Sequence, residues 1–418
     1  MKVATGLAIG KKSFTRSRVI TNAHANANTN VDSKRDSKTD LNVNSKLDLY
    51  SNLSSDLSSD LSSDLSNDLS TYLATEAVLS AMQKANISAP ACVLLFLSSD
   101  FAANPQAAIK AAAKTANCTN VIGCSAIGLF TEEDWVIDSP AVAAMVFSEN
   151  IFSRPNVDYA GLLLTLTAPN AIDTRWLNAG QNARFGGVSG DAIGQGAFSV
   201  WQNGKGLSQG YCEFALQHVQ SAVAATHGLK LISNPRRITH CQGHDLINLA
   251  NQLALNTLEL AWLRHANATN TPVETYLPYH QLVAVYASKA SLIERNDYNI
   301  STIITGNDDH ASVTLVKPMQ VGDWLSWAIR DTDAAQIDLV KTASTLRRTL
   351  NAEPTFGLLF SGIGRGPSFY NGLDQDLALL KALFPKLPII GFYGNGEIAH
   401  AQGNNVLFHN SAVLGLFC

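Results

Sequence analysis

Two glycine-rich turns near the C-terminus carry polar groups that could hold a small ligand. The first lies in the segment FGLLFSGIGRGPSFY and places Arg365 between Gly364 and Gly366; the second lies in LPIIGFYGNGEIAH and carries Tyr393 and Glu397. Each follows a short apolar run that is typical of a buried strand. Glycine permits positive φ angles and the close approach of another group. A cation on one turn and a carboxylate on the other predict a binding site for a small polar or zwitterionic molecule, rather than a catalytic site.

The residue types indicate what each polar group could bind. The planar guanidinium of Arg365 suits a carboxylate or a phosphate, and the glycine amides beside it could form a nest for an anion. Glu397 could accept a ligand ammonium while Tyr393 packs against that ammonium through a cation–π contact. The alternative is structural, with Arg365 paired to a carboxylate of the protein, for which Glu397 and Asp191 are the candidates.

Two further glycine turns lie upstream. NVIGCSAIGLF carries Ser125, and FGGVSGDAIGQGAFSVWQNGKG carries Asp191, which either forms an Asx turn or accepts a hydrogen bond from a ligand. A Ser125 nucleophile would lack an identifiable base, so an enzyme is not predicted. Because open sheets place ligands at strand ends, we expect all four turns to converge on one cleft. The turns are Gly123–Gly128, Gly186–Gly190, Gly362–Gly366 and Gly394–Gly396.

Histidines offer candidates for a metal or a haem. His240 and His244 have the i, i+4 spacing of one helix face, but no third ligand lies nearby in sequence, so chance spacing is the better interpretation. His400 and His409 lie close to Glu397 and are the better metal or haem candidates. Covalent haem is excluded because the chain has no CxxCH motif. The six cysteines show no zinc-type spacing, which favours structural thiols in a reducing compartment.

Taken in order, the four glycine motifs resemble a known family. From about Ala89 to the end they follow the pattern of FIST domains, a sensory module of signal transduction. The family often has an FSCxGRG-like pattern, and this chain has Gly362 at the cysteine position, so thiol chemistry is not expected there. The resemblance implies a sensor that binds a small, amino-acid-like ligand and signals through a separate protein, such as a histidine kinase or a second-messenger enzyme. The alternative it implies is a haem-dependent nitric-oxide sensor that binds haem b and regulates a histidine kinase, as in some stand-alone bacterial FIST proteins.

Composition narrows the function classes. The 418 residues are 46% apolar and 15% charged, with a net charge of −4, which suits a globular protein with a substantial core. The charge pattern predicts no nucleic acid partner. No apolar run approaches the ~20 residues of a membrane helix, so a cytoplasmic protein without a membrane span is predicted. A hydrolase or transferase that uses the glycine turns is a third interpretation, below both kinds of sensor.

Three segments are predicted along the chain. Residues 1–70 are rich in Ser, Asn, Asp and Lys and include LSSD repeats, which predicts a disordered low-complexity segment that the fold does not need. Residues 71–232 and 233–418 are predicted as FIST N-terminal and C-terminal domains. Both mix strand–helix–strand units with hairpins, which predicts an α+β fold of mixed sheets covered by helices. We further expect a helix at Asp245–Leu263 and a strand at Leu207–Gln217 that completes an Asn-Gly hairpin.

Overall fold

The computed structural model describes residues 1–10, 66–191, 194–272, 277–295 and 298–418. The fold is α+β, as predicted, and strands and helices are numbered in chain order. Within these ranges, every helix is too short or too polar to cross a bilayer. The helices are α1 (residues 66–85), α2 (Gln106–Ala116), α3 (Thr174–Leu177), α4 (Ala254–Thr269), α5 (Ala290–Glu294), α6 (Thr332–Leu350) and α7 (Gln375–Leu383).

Three six-stranded sheets form the body of the protein. In order across each sheet, sheet A contains β1 (Val3–Ile9), β6 (Ala141–Phe147), β2 (Cys92–Ser98), β3 (Val121–Ala126), β10 (Val200–Gln202) and β11 (Lys205–Gly206). Sheet B contains β13 (Ser221–Thr226), β26 (Ala412–Phe417), β22 (Phe356–Gly362), β23 (Ile389–Gly394), β4 (Gly128–Thr131) and β5 (Trp135–Ile137). Sheet C contains β7 (Phe152–Ser153), β12 (Tyr211–Leu216), β8 (Leu163–Thr167), β9 (Arg184–Val188), β24 (Gly396–Ala401) and β25 (Asn404–Phe408).

The three sheets share one strand arrangement. In each, the first three strands are antiparallel neighbours, the third and fourth are parallel, and an antiparallel hairpin completes the sheet. The hairpin always comes from elsewhere in the chain: β4–β5 follows β3 but pairs with β23, β10–β11 follows β9 but pairs with β3, and β24–β25 follows β23 but pairs with β9. The hairpin that follows the parallel pair of one sheet therefore completes another sheet: sheet A supplies sheet B, sheet B supplies sheet C, and sheet C supplies sheet A. The body is a closed ring with pseudo-threefold symmetry.

A glycine in the second strand of each parallel pair explains part of the repeated motif. The ideal Cβ position at each of these glycines overlaps a backbone carbonyl oxygen of the neighbouring parallel strand. Any larger residue would push the two strands apart, so glycine is required for this close approach. The glycines and the residues whose carbonyls they face are Gly123 and Leu95, Gly186 and Thr165, and Gly391 and Leu359.

Aromatic side chains fill the centre of the ring, and helices cover two of its outer faces. Phe96 of sheet A packs edge-on against Phe392 of sheet B, with ring centroids 5.0 Å apart, and Phe185 of sheet C contacts Phe360 at 6.1 Å. Such edge-to-face pairs stabilise a core beyond their buried area. Helices α1 and α2 pack on sheet A, and α6 and α7 pack on sheet B.

A closed antiparallel barrel is inserted between β13 and α6. Its two ends meet, because the Asp331 amide donates to Gly228 O at 3.1 Å. Helix α4 packs its apolar face onto the barrel interior; β14 (Leu229–Leu231) and β17 (Gln252–Leu253) pair at its margins. The strands around the ring are β21 (Trp324–Arg330), β15 (Arg236–Gln242), β16 (Asp245–Leu249), β20 (Ser312–Leu315), β19 (Asn299–Asn307) and β18 (Leu282–Ala287), which pairs again with β21.

The N-terminal residues differ from the prediction. Val3–Ile9 forms β1, which pairs with β6 over seven residues, so the prediction of one disordered segment over residues 1–70 is wrong for this strand. The apolar sequence VATGLAI was short enough to be overlooked inside a polar segment. Helix α1 is described from residue 66, and the rest of the LSSD region lies outside the described residues, as do residues 11–65 as a whole.

Two predicted elements and the separation of the halves are also corrected. The predicted helix at Asp245–Leu263 is a strand, β16, followed by α4, because Leu246 and Leu249 point into the barrel core. The Asn-Gly hairpin forms as β10–β11, but its expected return strand at Leu207–Gln217 is β12, which joins sheet C. Sheets B and C each combine strands from both sides of residue 232, so the two halves interlock rather than each holding its own sheets.

Candidate functional site

Arg365 is buried and bound by protein groups on every side. Its side chain is 1% exposed, and Nε and Nη2 donate to the two carboxylate oxygens of Asp376 at 2.8 and 3.2 Å. Nη1 donates to Thr226 O at 2.8 Å, and Nη2 also reaches Ala335 O at 3.2 Å. Burial alone would lower the pKa of Arg365, but the Asp376 carboxylate raises it above its usual value. These contacts favour the structural alternative, with Asp376 as the partner instead of Glu397 or Asp191.

Glu397 lies beside the same turn and keeps one oxygen without a partner. Its side chain is 0% exposed, Oε2 accepts from the Ser411 amide at 3.0 Å, and Oε1 has no hydrogen-bond partner among the described residues. Gly362 makes room for this carboxyl, because a Cβ there would overlap Oε1. Burial raises the pKa of Glu397 well above its usual value, although Arg365 and Arg330 oppose that shift. Burial therefore favours the protonated form of this carboxyl, and a further cation beside it would favour the ionised form.

Arg330 supplies a cation that the sequence analysis missed. It ends barrel strand β21, is half-buried, donates through Nη2 to Gly364 O, and packs over the Phe369 ring with its guanidinium carbon 4.8 Å from the centroid. Burial and the nearby charge of Arg365 lower the pKa of Arg330, while Glu397 raises it. The only signal in the sequence was a charge at the end of an alternating strand. We call Arg330, Glu397 and the Gly362–Gly366 turn the junction site.

His227 is connected to the junction site through Ser411, whose backbone amide donates to Glu397. Its Nδ1 lies 2.9 Å from Ser411 Oγ, its ring packs on Phe408 with centroids 4.7 Å apart, and its backbone amide donates to Asp338. Burial lowers the pKa of His227 to about 4, although Asp338 opposes the shift. The imidazole is therefore neutral at pH 7 and adds no charge of its own near Arg365.

Tyr393 and the two glycines beside Arg365 serve packing in this structure. Tyr393 is fully buried and donates its hydroxyl to Asp374, so it does not face Glu397 as a cation–π partner. Gly366 packs on the Tyr393 ring, and its amide donates to Ile363 O at 3.3 Å instead of forming an open nest. Gly364 contributes its carbonyl to Arg330. Ligand contact by these three residues stays a prediction that the observed contacts do not support.

The glycine turns lie close together, but they contact one another at the centre of the ring instead of lining an open cleft. The Ile127 amide donates to Tyr393 O at 3.1 Å, and the Asn395 amide donates to Val188 O at 3.0 Å. A Cβ at Gly190 would lie 2.9 Å from Asn395 Oδ1. These contacts join the three hairpin crossings at the centre of the ring, so the turns are the joints of the fold.

Ser125 and Asp191 lie at this central joint. The Ser125 hydroxyl lies 3.1 Å from Ser189 Oγ and accepts from the Ser199 amide at 3.0 Å. Asp191 accepts from the Gln195 and Gly196 amides at 3.3 and 3.2 Å, which is the behaviour of a turn-forming aspartate. Both residues stay candidate ligand contacts. In the part of the chain that is described, both side chains accept hydrogen bonds from backbone amides of the protein.

The cavity beside His409, one of the two haem candidates, is smaller than a haem. His400 is exposed, with Nδ1 3.1 Å from Asn405 Oδ1; His409 is also exposed and lies at a cavity of about 270 Å³. At ~30 Å³ for each water-sized group, that volume holds about nine non-hydrogen atoms, whereas a porphyrin has several times as many. The residues around His409 therefore do not fit haem b as they are arranged. The described residues also contain no cluster of three or more His, Cys, Asp or Glu suited to a metal ion.

Comparison with known proteins decides the family. The FIST N domain matches residues 91–252, and the FIST C domain matches residues 261–400. The chain belongs to the FIST family. An uncharacterized protein of Mycobacterium tuberculosis (strain ATCC 25618 / H37Rv) is 24% identical over 369 residues, which cover 82% of this chain and 95% of the relative. An uncharacterized protein of Mycobacterium bovis is 24% identical over 237 residues, covering 56% of this chain and 60% of the relative. FIST domains are associated with sensing in signal transduction.

Proposed function

We propose that this FIST protein senses a small, amino-acid-like zwitterion at the junction site. The observation that supports this proposal is the unpartnered Oε1 of Glu397, which is fully buried beside the half-buried guanidinium of Arg330. A buried polar atom without a partner costs free energy, and a ligand donor at Oε1 would recover it. This keeps the cation–carboxylate pair predicted from the sequence but replaces Arg365 with Arg330 as the cation that meets the ligand.

The two groups suit the two ends of a zwitterion. A ligand ammonium beside Glu397 stabilises the ionised carboxylate, and a ligand carboxylate can bind the Arg330 guanidinium through charge-assisted hydrogen bonds. Because burial raises the pKa of Glu397 in the free protein, a ligand ammonium bound beside it lowers that pKa and favours the release of a proton. Titration heat will consequently depend on the ionisation enthalpy of the buffer.

The location of the two groups supplies a route from binding to signalling. Arg330 belongs to the barrel, and Glu397 belongs to β24 of the body. A ligand held by both fixes the barrel against the body, which biases their relative position. The output is contact with a separate protein in the cytoplasm, such as a histidine kinase or a second-messenger enzyme. The six cysteines are all unpaired, which supports a reducing compartment.

Calorimetric titration with the twenty proteinogenic amino acids tests the proposal. At least one amino acid should bind the 418-residue protein. Glu397→Gln and Arg330→Lys should each weaken the affinity for that amino acid by about tenfold or more. The exposed ion pair of Arg347 and Glu353 provides matched controls, so Arg347→Lys and Glu353→Gln should bind as the wild type does. Thermal melts confirm that the variants are folded. Binding that survives both junction-site substitutions would refute the site, and the absence of binding by any amino acid would refute the ligand class.

A further inference from the structure

The cavity beside His409 lies between the barrel and sheet C. Its volume is about 270 Å³. Strand β19 and the segment after β20 form the barrel side of the cavity, and the edge strand β25 forms the side of sheet C. Ile300 and Val316 form the barrel side, and Val406 and Phe408 form the sheet side. Because this volume holds about nine non-hydrogen atoms, the cavity suits a small molecule with an apolar body.

One cation lines this cavity without a carboxylate to neutralise it. Lys317 is half-buried, none of the ion pairs in the described residues includes it, and no Asp or Glu lines the cavity. Its own amide donates to Ser301 Oγ at 3.0 Å, which fixes the backbone of Lys317 at the barrel wall. Burial lowers the pKa of the Lys317 amine, so an anion placed beside it would relieve the cost of burying the charged form. His409 also lines the cavity.

We propose that this cavity is a binding site for a small monocarboxylate with an aliphatic body. The carboxylate pairs with Lys317, and the hydrocarbon chain packs among Val316, Val406 and Phe408. A free amine is disfavoured because Lys317 would repel it, and a neutral alcohol of the same length lacks the ion pair. Neither Arg330 nor Glu397 lines this cavity, so the proposed site does not depend on the proposed amino-acid sensing. Like the junction site, it touches both the barrel and the body.

Hexanoate, which has about the number of non-hydrogen atoms that the cavity holds, is the probe. Titration calorimetry on the full chain should show hexanoate binding about tenfold or more tighter than hexan-1-ol and hexylamine. Lys317→Met keeps the apolar stem and should weaken hexanoate by the same factor, while Lys317→Arg should retain most of the affinity. The exposed Lys289 gives the control Lys289→Met, which should leave binding unchanged.

Further variants keep the proposal falsifiable. Val406→Trp fills the cavity and should abolish hexanoate binding, whereas Glu397→Gln should leave hexanoate binding unaltered because Glu397 does not line the cavity. Hexanoate and hexan-1-ol binding equally, or Lys317→Met binding hexanoate as well as the wild type does, would show non-specific apolar contact and overturn the proposal. So would a failure of hexanoate to bind at millimolar concentration. Loss of hexanoate binding in Glu397→Gln would assign the carboxylate to the junction site instead.

Discussion

At the scale of single residues, the signature arginine holds the turn in place from within. Arg365 binds Asp376 of α7, Thr226 at the end of β13 and Ala335 of α6, so one guanidinium ties three elements to the Gly-Arg-Gly turn. The half-buried Arg330 contacts the same turn from the barrel. The sequence analysis gave both roles to Arg365: in the structure Arg365 stabilises the turn, and the ligand-binding role is proposed for Arg330.

Substituting Arg365 should therefore reduce the stability of the fold, with no direct effect on ligand affinity. We expect Arg365→Ala to lower the free energy of unfolding by about 3–5 kcal/mol, because it leaves the Asp376 carboxylate buried without a partner. Arg365→Lys should lose much of the same stability, because an ammonium cannot replace the paired bonds to both carboxylate oxygens. Chemical denaturation of purified variants measures both changes.

The exposed pair of Arg347 and Glu353 is the reference for this experiment. Arg347→Ala removes an ion pair of similar composition whose arginine is 50% exposed, and should cost about 0–1 kcal/mol. If Arg365→Ala is as harmless as Arg347→Ala but loses ligand affinity, Arg365 is a ligand-binding residue and the structural assignment is wrong.

Asp374 makes stability depend on pH. It begins α7, where its side chain accepts from the Leu377 amide at 2.9 Å and from the Tyr393 hydroxyl, and burial raises its pKa from 3.8 to about 6. A raised native pKa means that the folded state binds the proton more tightly, so this stabilisation is present below pH 4 and is lost as the pH rises to about 6. Asparagine can cap the helix but cannot titrate. Between pH 4 and pH 7 the unfolding free energy of Asp374→Asn should rise relative to the wild type by up to about 3 kcal/mol.

Denaturation curves at pH 4, 5, 6 and 7 measure the difference between the two proteins. Asp333→Asn is the control, since Asp333 is an exposed acid in the first turn of α6, and its difference from the wild type should stay nearly constant. A constant difference for Asp374→Asn would mean that Asp374 is ionised in the folded protein throughout this range.

At the scale of elements, the sequence predicts strands better than it predicts their partners. The apolar run before the Gly-Arg-Gly turn is confirmed as the strand β22, because a continuous apolar run is a local signal. The hairpin crossings involve strands far apart in the chain, as when Tyr393 pairs with Gly128, and nothing local specifies them. The same limit explains the candidate site, where Glu397 could be predicted from its motif but Arg330 comes from another element.

Strand β1 should be essential although it precedes a polar segment. It pairs with β6, and Gly6 packs on the backbone of α1 near Ala77. Thr5 also donates to Glu132 at 2.6 Å, and Glu132 in turn accepts from the Ile389 amide of sheet B. Deleting residues 1–10 should therefore lower the melting temperature by about 5 °C or more, as thermal unfolding monitored by circular dichroism will show.

Replacing residues 11–65 with a short linker is the matched change. Gly10 lies against Leu73 of α1, and residue 66 is about 10 Å from Leu73 along the helix. About ten Gly and Ser residues span roughly 17 Å, so such a linker should connect β1 to α1 with the melting temperature unchanged. A large loss in this variant would show that residues 11–65 contribute to the fold, against the sequence prediction.

At the scale of the whole molecule, the family's two halves and the units that fold differ. The FIST N and FIST C matches divide the chain between residues 252 and 261, inside the barrel. The body, by contrast, closes only when hairpins from both halves have crossed: sheet B needs β4–β5, and sheet C needs β24–β25. Because the barrel begins and ends at one point of the body, it has the connectivity of an inserted domain.

Cutting the chain at these two kinds of boundary should give opposite results. Residues 229–330 expressed alone should form a folded barrel, because the ring of strands and its core lie within that range. The rest of the chain, with Gly228 joined to Asp331 through two glycines, should form a folded body, since these residues already meet at 3.1 Å.

By contrast, residues 1–232 and 233–418 expressed separately should each lack a cooperative melt, because each half leaves sheet edges and the aromatic core uncovered. Calorimetric melts of the four proteins decide between the two divisions: cooperative unfolding of both isolated halves would contradict the interlocked ring, and failure of both the barrel and the closed body to fold would contradict the insertion.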